Sequence, residues 1–95
     1  MTSLSTHVLD TEAGRPAAGV AVELWYGETQ VGAAETGADG RARLADELEP
    51  GLYRLVFHPP SPFFRRVELE LELGDDHHHV PLLVSAYGCA TYRGS

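Results

Sequence analysis

The segment Arg66-Val-Glu-Leu-Glu-Leu-Glu-Leu73 constrains the fold more than any other stretch of this chain. Val67, Leu69, Leu71 and Leu73 alternate strictly with Glu68, Glu70 and Glu72. Successive side chains of a β-strand point to opposite faces, so this spacing predicts one apolar face and one acidic face. Leucine and glutamate each favour helix. At 3.6 residues per turn, however, the four apolar residues would spread around the whole circumference and leave no single face to bury. The pattern outvotes the propensity. The row of like charges also discourages edge-to-edge pairing with other chains.

The same period recurs along the chain. Val20, Val22 and Leu24 share a face in residues 20–25, and a strand over residues 52–57 starts after the turn signal Glu49-Pro50-Gly51. A strand over residues 30–36 ends at Gly37-Ala38-Asp39-Gly40, where Asp-Gly marks a tight turn before Arg41. Gly14-Arg15-Pro16 and Gly74-Asp75-Asp76 are further turns; residues 77–85 resume as a strand and residues 90–93 add a last short one. Short strands at this spacing predict an all-β antiparallel sandwich of seven or eight strands. Ninety-five residues suit one domain, 1–95, and no repeat or composition shift divides them. Pro59, Pro60 and Pro62 exclude a helix interior between residues 57 and 67.

Charge and composition narrow the function classes. A net charge of −7 argues against nucleic acid, whose phosphates require a cationic surface. The chain has no apolar run of membrane-spanning length and opens with no basic and apolar leader. The one cysteine, Cys89, has no partner within the chain for a disulfide. These features predict a cytoplasmic protein with no membrane partner. Against the acidic background, Arg15, Arg41 and Arg93 stand out as cations with a local task, such as holding an anionic ligand.

Histidine supplies the candidate chemistry. In Leu4-Ser-Thr-His-Val-Leu-Asp10, alternation puts His7 and Leu9 on one face and Thr6, Val8 and Asp10 on the other. In His77-His78-His79, the outer two share a face, a spacing also compatible with a metal. No carboxylate or cysteine is spaced to complete such a set, so no metal is expected. His58, beside the prolines, is expected at the surface. Free Cys89 reads as a small apolar filler.

The two ends of the chain resemble a known family. Leu4-Ser-Thr-His-Val-Leu-Asp10 with Gly14-Arg-Pro-Ala-Ala-Gly-Val20, the Asp39-Gly-Arg41 turn, and His79-Val-Pro-Leu-Leu83 running on to Tyr92-Arg-Gly-Ser95 are similar to transthyretin-related proteins. The closing Tyr-Arg-Gly-Ser resembles the 5-hydroxyisourate hydrolase branch. That resemblance implies a transthyretin-like sandwich and a homotetramer, a dimer of dimers, with sites in a channel between dimers. It implies hydrolysis of the purine-derived 5-hydroxyisourate to 2-oxo-4-hydroxy-4-carboxy-5-ureidoimidazoline in urate degradation, without a cofactor. It also implies catalytic roles for His7, Arg41, His79 and Ser95, and substrate binding by Arg41, Tyr92, Arg93, Gly94 and Ser95. His77 and His78 match no site position, so loss of the His77 ring is expected to leave rates unchanged.

The chain departs from the family where the connections between residues 57 and 67 and between residues 25 and 30 are short, so the usual helix is expected to be reduced or absent. It also carries Tyr87-Gly-Cys-Ala-Thr91 where relatives have an aromatic and a serine. Two alternatives accompany the hydrolase: a non-catalytic transthyretin-type module binding a small ligand, and an enzyme diverged to another cyclic substrate. The hydrolase chemistry suits the residues. Two imidazoles can move protons near neutrality, and a permanently charged planar guanidinium can hold an acidic ring. No nucleophile elbow is present, so water is the expected attacker.

Overall fold

The computed structural model describes residues 1–94 and contains ten strands in two facing sheets. In chain order they are β1 (Thr2–Asp10), β2 (Arg15–Pro16), β3 (Ala21–Tyr26), β4 (Thr29–Glu35), β5 (Arg41–Leu48), β6 (Gly51–His58), β7 (Val67–Leu73), β8 (His77–His79), β9 (Leu82–Val84) and β10 (Cys89–Thr91). One sheet runs β4-β3-β6-β7. The other is organised around β1, whose first half lies between β5 and β8 and whose second half lies between β2 and β9, with β10 outside β9.

The count exceeds the expected seven or eight for physical reasons. β2 is only two residues long, and the strand expected over residues 77–85 divides at Val80-Pro81, where proline offers no N–H to a ladder. The sandwich is antiparallel except that β8 and β9 run parallel to β1. The chain reaches β8 from β7 in the other sheet, so it arrives by a crossover, the connection that parallel pairing requires.

Patterning explains the core. Val22 and Leu24 from one sheet, with Leu55 and Phe57 beside them and Val20 just before β3, meet Leu4, Val8, Leu82 and Val84 from the other, and all are buried. Full burial of an aliphatic or aromatic side chain contributes about 1.5–3 kcal/mol. Thr2 and Thr6 are also buried on the inner face of β1, and each hydroxyl is satisfied: Thr2 Oγ1 donates to Gly74 O at 2.5 Å and Thr6 Oγ1 to Val80 O at 2.6 Å. The second bond carries the chain past the break between β8 and β9, keeping both against β1.

The β7 alternation holds, with its glutamates exposed. Val67, Leu69 and Leu71 are only half-buried, because residues 91–93 stand off from β7 and leave a groove of about 450 Å³. No helix occurs among the described residues. The proline connection is held instead by Ser61, whose Oγ accepts from the Phe63 and Phe64 amides and donates to Ala86 O. The short β3–β4 connection is a two-residue hairpin, with Gly27 supplying the positive φ (57°) that its first position demands.

Candidate active site

Strand register gathers the candidate residues. On β5, Arg41 is paired with His7 and Arg43 with Ser5 across β1; on β8, His77 is paired with Ser3 and His79 with Ser5. Directly paired residues project from the same face. Ser3, Ser5, His7, Arg41, Arg43, His77 and His79 therefore share the face of this sheet opposite to Leu4, Thr6 and Val8. Three segments far apart in sequence meet because β1 has a different neighbour on each side.

A shallow depression of about 260 Å³ forms there, lined by Ser5, Thr6, Asp39, Arg41, Arg43 and His79; His7 shares this face of the sheet but does not line the depression. His79 is half-buried and the Arg41 side chain exposed. Burial pulls the His79 imidazole below its ordinary pKa, and the charges of Arg41, His7 and His77 lower it further. Each cause disfavours the cation, so His79 is held as a neutral imidazole. His7 Nε2 lies 2.8 Å from Asp39 O. A carbonyl can only accept, so Nε2 carries the proton in that contact and the neutral ring keeps its lone pair on Nδ1. Asp39 also sets the turn: Oδ1 accepts the Arg41 amide at 3.0 Å, and the carboxylate lies 4.0 Å from the guanidinium Nε.

Gly40 shows how closely this turn is fitted. Its φ is +76°, and a Cβ there would come 2.5 Å from Val8 O, 2.9 Å from Pro16 Cβ and 3.2 Å from the His7 ring. Backbone cannot yield as a flexible side chain does, and the left-handed conformation adds strain. Gly40→Ala is expected to lower the melting temperature by on the order of 10 °C, since about 1 kcal/mol corresponds to roughly 4–8 °C in a domain of this size. Calorimetry showing an unchanged melting temperature would contradict this fit.

The remaining expectations divide. Gly94 is brought to His79: its N–H donates to His79 O at 2.7 Å in an isolated antiparallel bridge. Tyr92 and Arg93 do not line the depression. They border the larger groove beside β7, and the Arg93 guanidinium reaches Asp76 at 3.5 Å. Ser95 lies outside the described residues. His58 is exposed, as expected, at the end of β6, with Nε2 2.7 Å from Glu23 Oε2. Cys89 is exposed. Among the described residues, no three His, Cys, Asp or Glu side chains are grouped to hold a metal, and no helix is long and apolar enough to cross a membrane.

Arg43 and Ser5 line the depression, and Ser3 and His77 lie beside it on the same face, although the period-2 spacing alone does not single them out. Their signal was the period-2 spacing of residues 3, 5 and 7 and of residues 77 and 79. It becomes legible only when β8 is laid parallel to β1.

The HIUase/Transthyretin family model matches residues 4–94. The chain belongs to this family. The 5-hydroxyisourate hydrolase of Caulobacter vibrioides is 45% identical over 120 aligned positions, which cover all of both chains. The chain has 95 residues, so that relative carries stretches for which this family member has no counterpart, in line with the short connections. The solved 5-hydroxyisourate hydrolase of Klebsiella pneumoniae superposes with a TM-score of 0.90 at 36% identity over the whole of both chains. Sea bream transthyretin in complex with thyroxine superposes with a TM-score of 0.84 at 24% identity, covering 96% of this chain and 93% of that one. This last likeness speaks to the fold alone.

Proposed function

We propose that this protein is a 5-hydroxyisourate hydrolase that uses His7, Arg41 and His79 to open the substrate ring with water. The carrying observation is that two imidazoles and a guanidinium, from three strands, converge on one face of a chain similar over its whole length to such hydrolases. Water adds to the cyclic amide carbonyl, the C–N bond breaks, and the departing nitrogen takes a proton. Neutral His79 accepts the proton of the attacking water and returns it to the departing nitrogen, while His7, its Nε2–H held by Asp39 O, presents its Nδ1 lone pair to the water or the substrate. Arg41 binds the acidic ring and stabilises the oxyanion that develops on the carbonyl. Gly94 holds the backbone of His79 and Ser95 contributes to the site, while Tyr92 and Arg93, which border the groove beside β7 in the single chain, bind substrate only if assembly brings that edge to the depression.

Assembly belongs to the same reading. The depression is shallow in a single chain and the Arg41 side chain is 59% exposed. A homotetramer built as a dimer of dimers would close it and exclude water. Cytoplasmic residence suits the single thiol, Cys89, which a reducing compartment keeps free.

The test is the decay of ultraviolet absorbance of freshly generated 5-hydroxyisourate, with and without the protein, across pH. Catalysed decay is expected. The sign of its pH dependence follows from the lowered pKa of His79. The base form persists below the ordinary imidazole value of about 6.5, so kcat/KM should reach its plateau by that pH and fall only in more acidic solution. The same shift destabilises the fold as pH drops below about 6.5, where the unfolded chain binds the proton first. Decay at the spontaneous rate would reject the hydrolase and favour a binding module; an acid limb above pH 7 would reject His79 as the base.

A further inference from the structure

A continuous hydrogen-bonded line leads away from His79. Its Nδ1 lies 2.9 Å from Ser5 Oγ, Ser5 Oγ lies 3.1 Å from His77 Nε2, and His77 Nδ1 lies 2.6 Å from Ser3 Oγ. Register explains the line: Ser3 and Ser5 are the β1 partners of His77 and His79 on the parallel strand. We infer that Ser5 and His77 are positioning residues for His79, with the Ser5 hydroxyl tying the tautomer of His79 to that of His77 and linking the two rings so that His77 is a second seat for the catalytic proton. The inference deepens the hydrolase reading and rests on it for the meaning of that proton.

The chemistry follows from the donor inventory. A hydroxyl has one proton to give and lone pairs to accept, and a neutral imidazole has one donor and one acceptor. The line can therefore point in two directions. In the first, His79 Nδ1–H donates to Ser5, Ser5 donates to His77 Nε2, and His77 Nδ1–H donates to Ser3. His79 Nε2 then presents a lone pair, the form of a base. When Nε2 accepts a proton from water, the Nδ1 proton passes to Ser5 Oγ and the Ser5 hydroxyl proton passes to His77 Nε2. The positive charge then rests on His77, and His79 is neutral with its proton on Nε2, the form that can donate to the leaving nitrogen. The reverse transfer restores the starting state, and no proton is gained or lost.

The surroundings favour moving the charge this way. His79 is faced by His7 from β1, by Arg41 and Arg43 from β5, by Asp39 from the preceding turn, by His77 on its own strand, and by the segment carrying Arg93 beside Gly94. Among these described residues Asp39 is an anion with the Arg41 guanidinium already beside it, and Arg43 and Arg93 are themselves paired with Asp46 and Asp76. His79 is half-buried whereas His77 is exposed, so water solvates the cation better at His77.

The experiment combines nitrogen NMR of the histidine rings with steady-state kinetics. In Ser5→Ala, the tautomer balance of His79 should shift and no longer follow that of His77, and kcat should fall about 10- to 100-fold, part of the range of an acid-base group, with KM changed less than about twofold. Ser5→Thr, which keeps the hydroxyl on a β-compatible side chain, should restore both. His77→Ala should lower kcat by a similar factor, and Ser5→Ala/His77→Ala should be no worse than either single variant, because the residues act as one unit. The inference is overturned if Ser5→Ala keeps its tautomer and its turnover, or if the two losses multiply. The spectra need no substrate. A wild-type protein that leaves 5-hydroxyisourate untouched would therefore refute the hydrolase, while the tautomer of Ser5→Ala would still decide the coupling.

Discussion

Asparagine in place of His79 is expected to lower kcat by about 10²–10⁴, the range contributed by a positioned acid-base group. The substitution is chosen for its shape. An asparagine amide can still reach Ser5 from roughly the Nδ1 position, so packing and the serine contact are retained while titration is lost. For His7 the comparable change is His7→Gln, whose amide can keep the donor to Asp39 O where Nε2 now stands; a loss in the same range is expected. Arg41→Lys should also be damaging, because lysine keeps the charge but not the planar fork that grips an acidic ring. His58→Ala is the control: the ring is exposed and paired with Glu23 away from the depression, and turnover should be unchanged. Rates for all four variants, measured by the same absorbance decay, separate the outcomes. Full activity in both histidine variants would remove the proposed mechanism. Loss in His7→Gln alone would make His7 the sole base.

Much of this was legible in the residues, and the part that was not has a common cause. The β7 alternation, the Asp-Gly turn before Arg41 and the prolines of residues 59–62 are local signals, and each gave its element correctly. The exposed placement of His77 and the half-buried placement of His79 around buried His78 also follow from period 2 alone. Local signals carry no information about which strand lies beside which. The parallel pairing of β8 with β1 depends on a crossover between sheets, and only that pairing brings Ser3 to His77 and Ser5 to His79. For this reason the local pattern alone gives His77 no part in the site. Likewise Arg43 is an unremarkable strand residue until its pairing with Ser5 sets it at the edge of the depression, where its guanidinium is held by Asp46. The break at Pro81 was visible as a residue but outweighed by the apolar run around it.

The segment after Tyr92 should matter far more to turnover than to stability. Its described contacts are few: the Gly94 amide on His79 O at 2.7 Å and the exposed Arg93–Asp76 pair at 3.5 Å. An exposed pair of this kind contributes about 0–1 kcal/mol, and no side chain of residues 92–94 belongs to the core. Removing residues 93–95 is therefore expected to leave the melting temperature within a few degrees while lowering kcat to the level of His79→Asn. Gly94→Ala isolates the backbone part of this effect. A Cβ at that position would come 2.9 Å from His79 Cδ2 and 3.3 Å from its Cβ, so either the ring or the bridge must move. Because orientation of an acid-base group within a fraction of an ångström governs its rate, Gly94→Ala should cost about 10²-fold in kcat with an unchanged core. A truncated protein that turns over normally would detach residues 93–95 from catalysis. A truncation that kills turnover while Gly94→Ala does not would shift the contribution from the His79 bridge to Arg93 and Ser95 as substrate ligands.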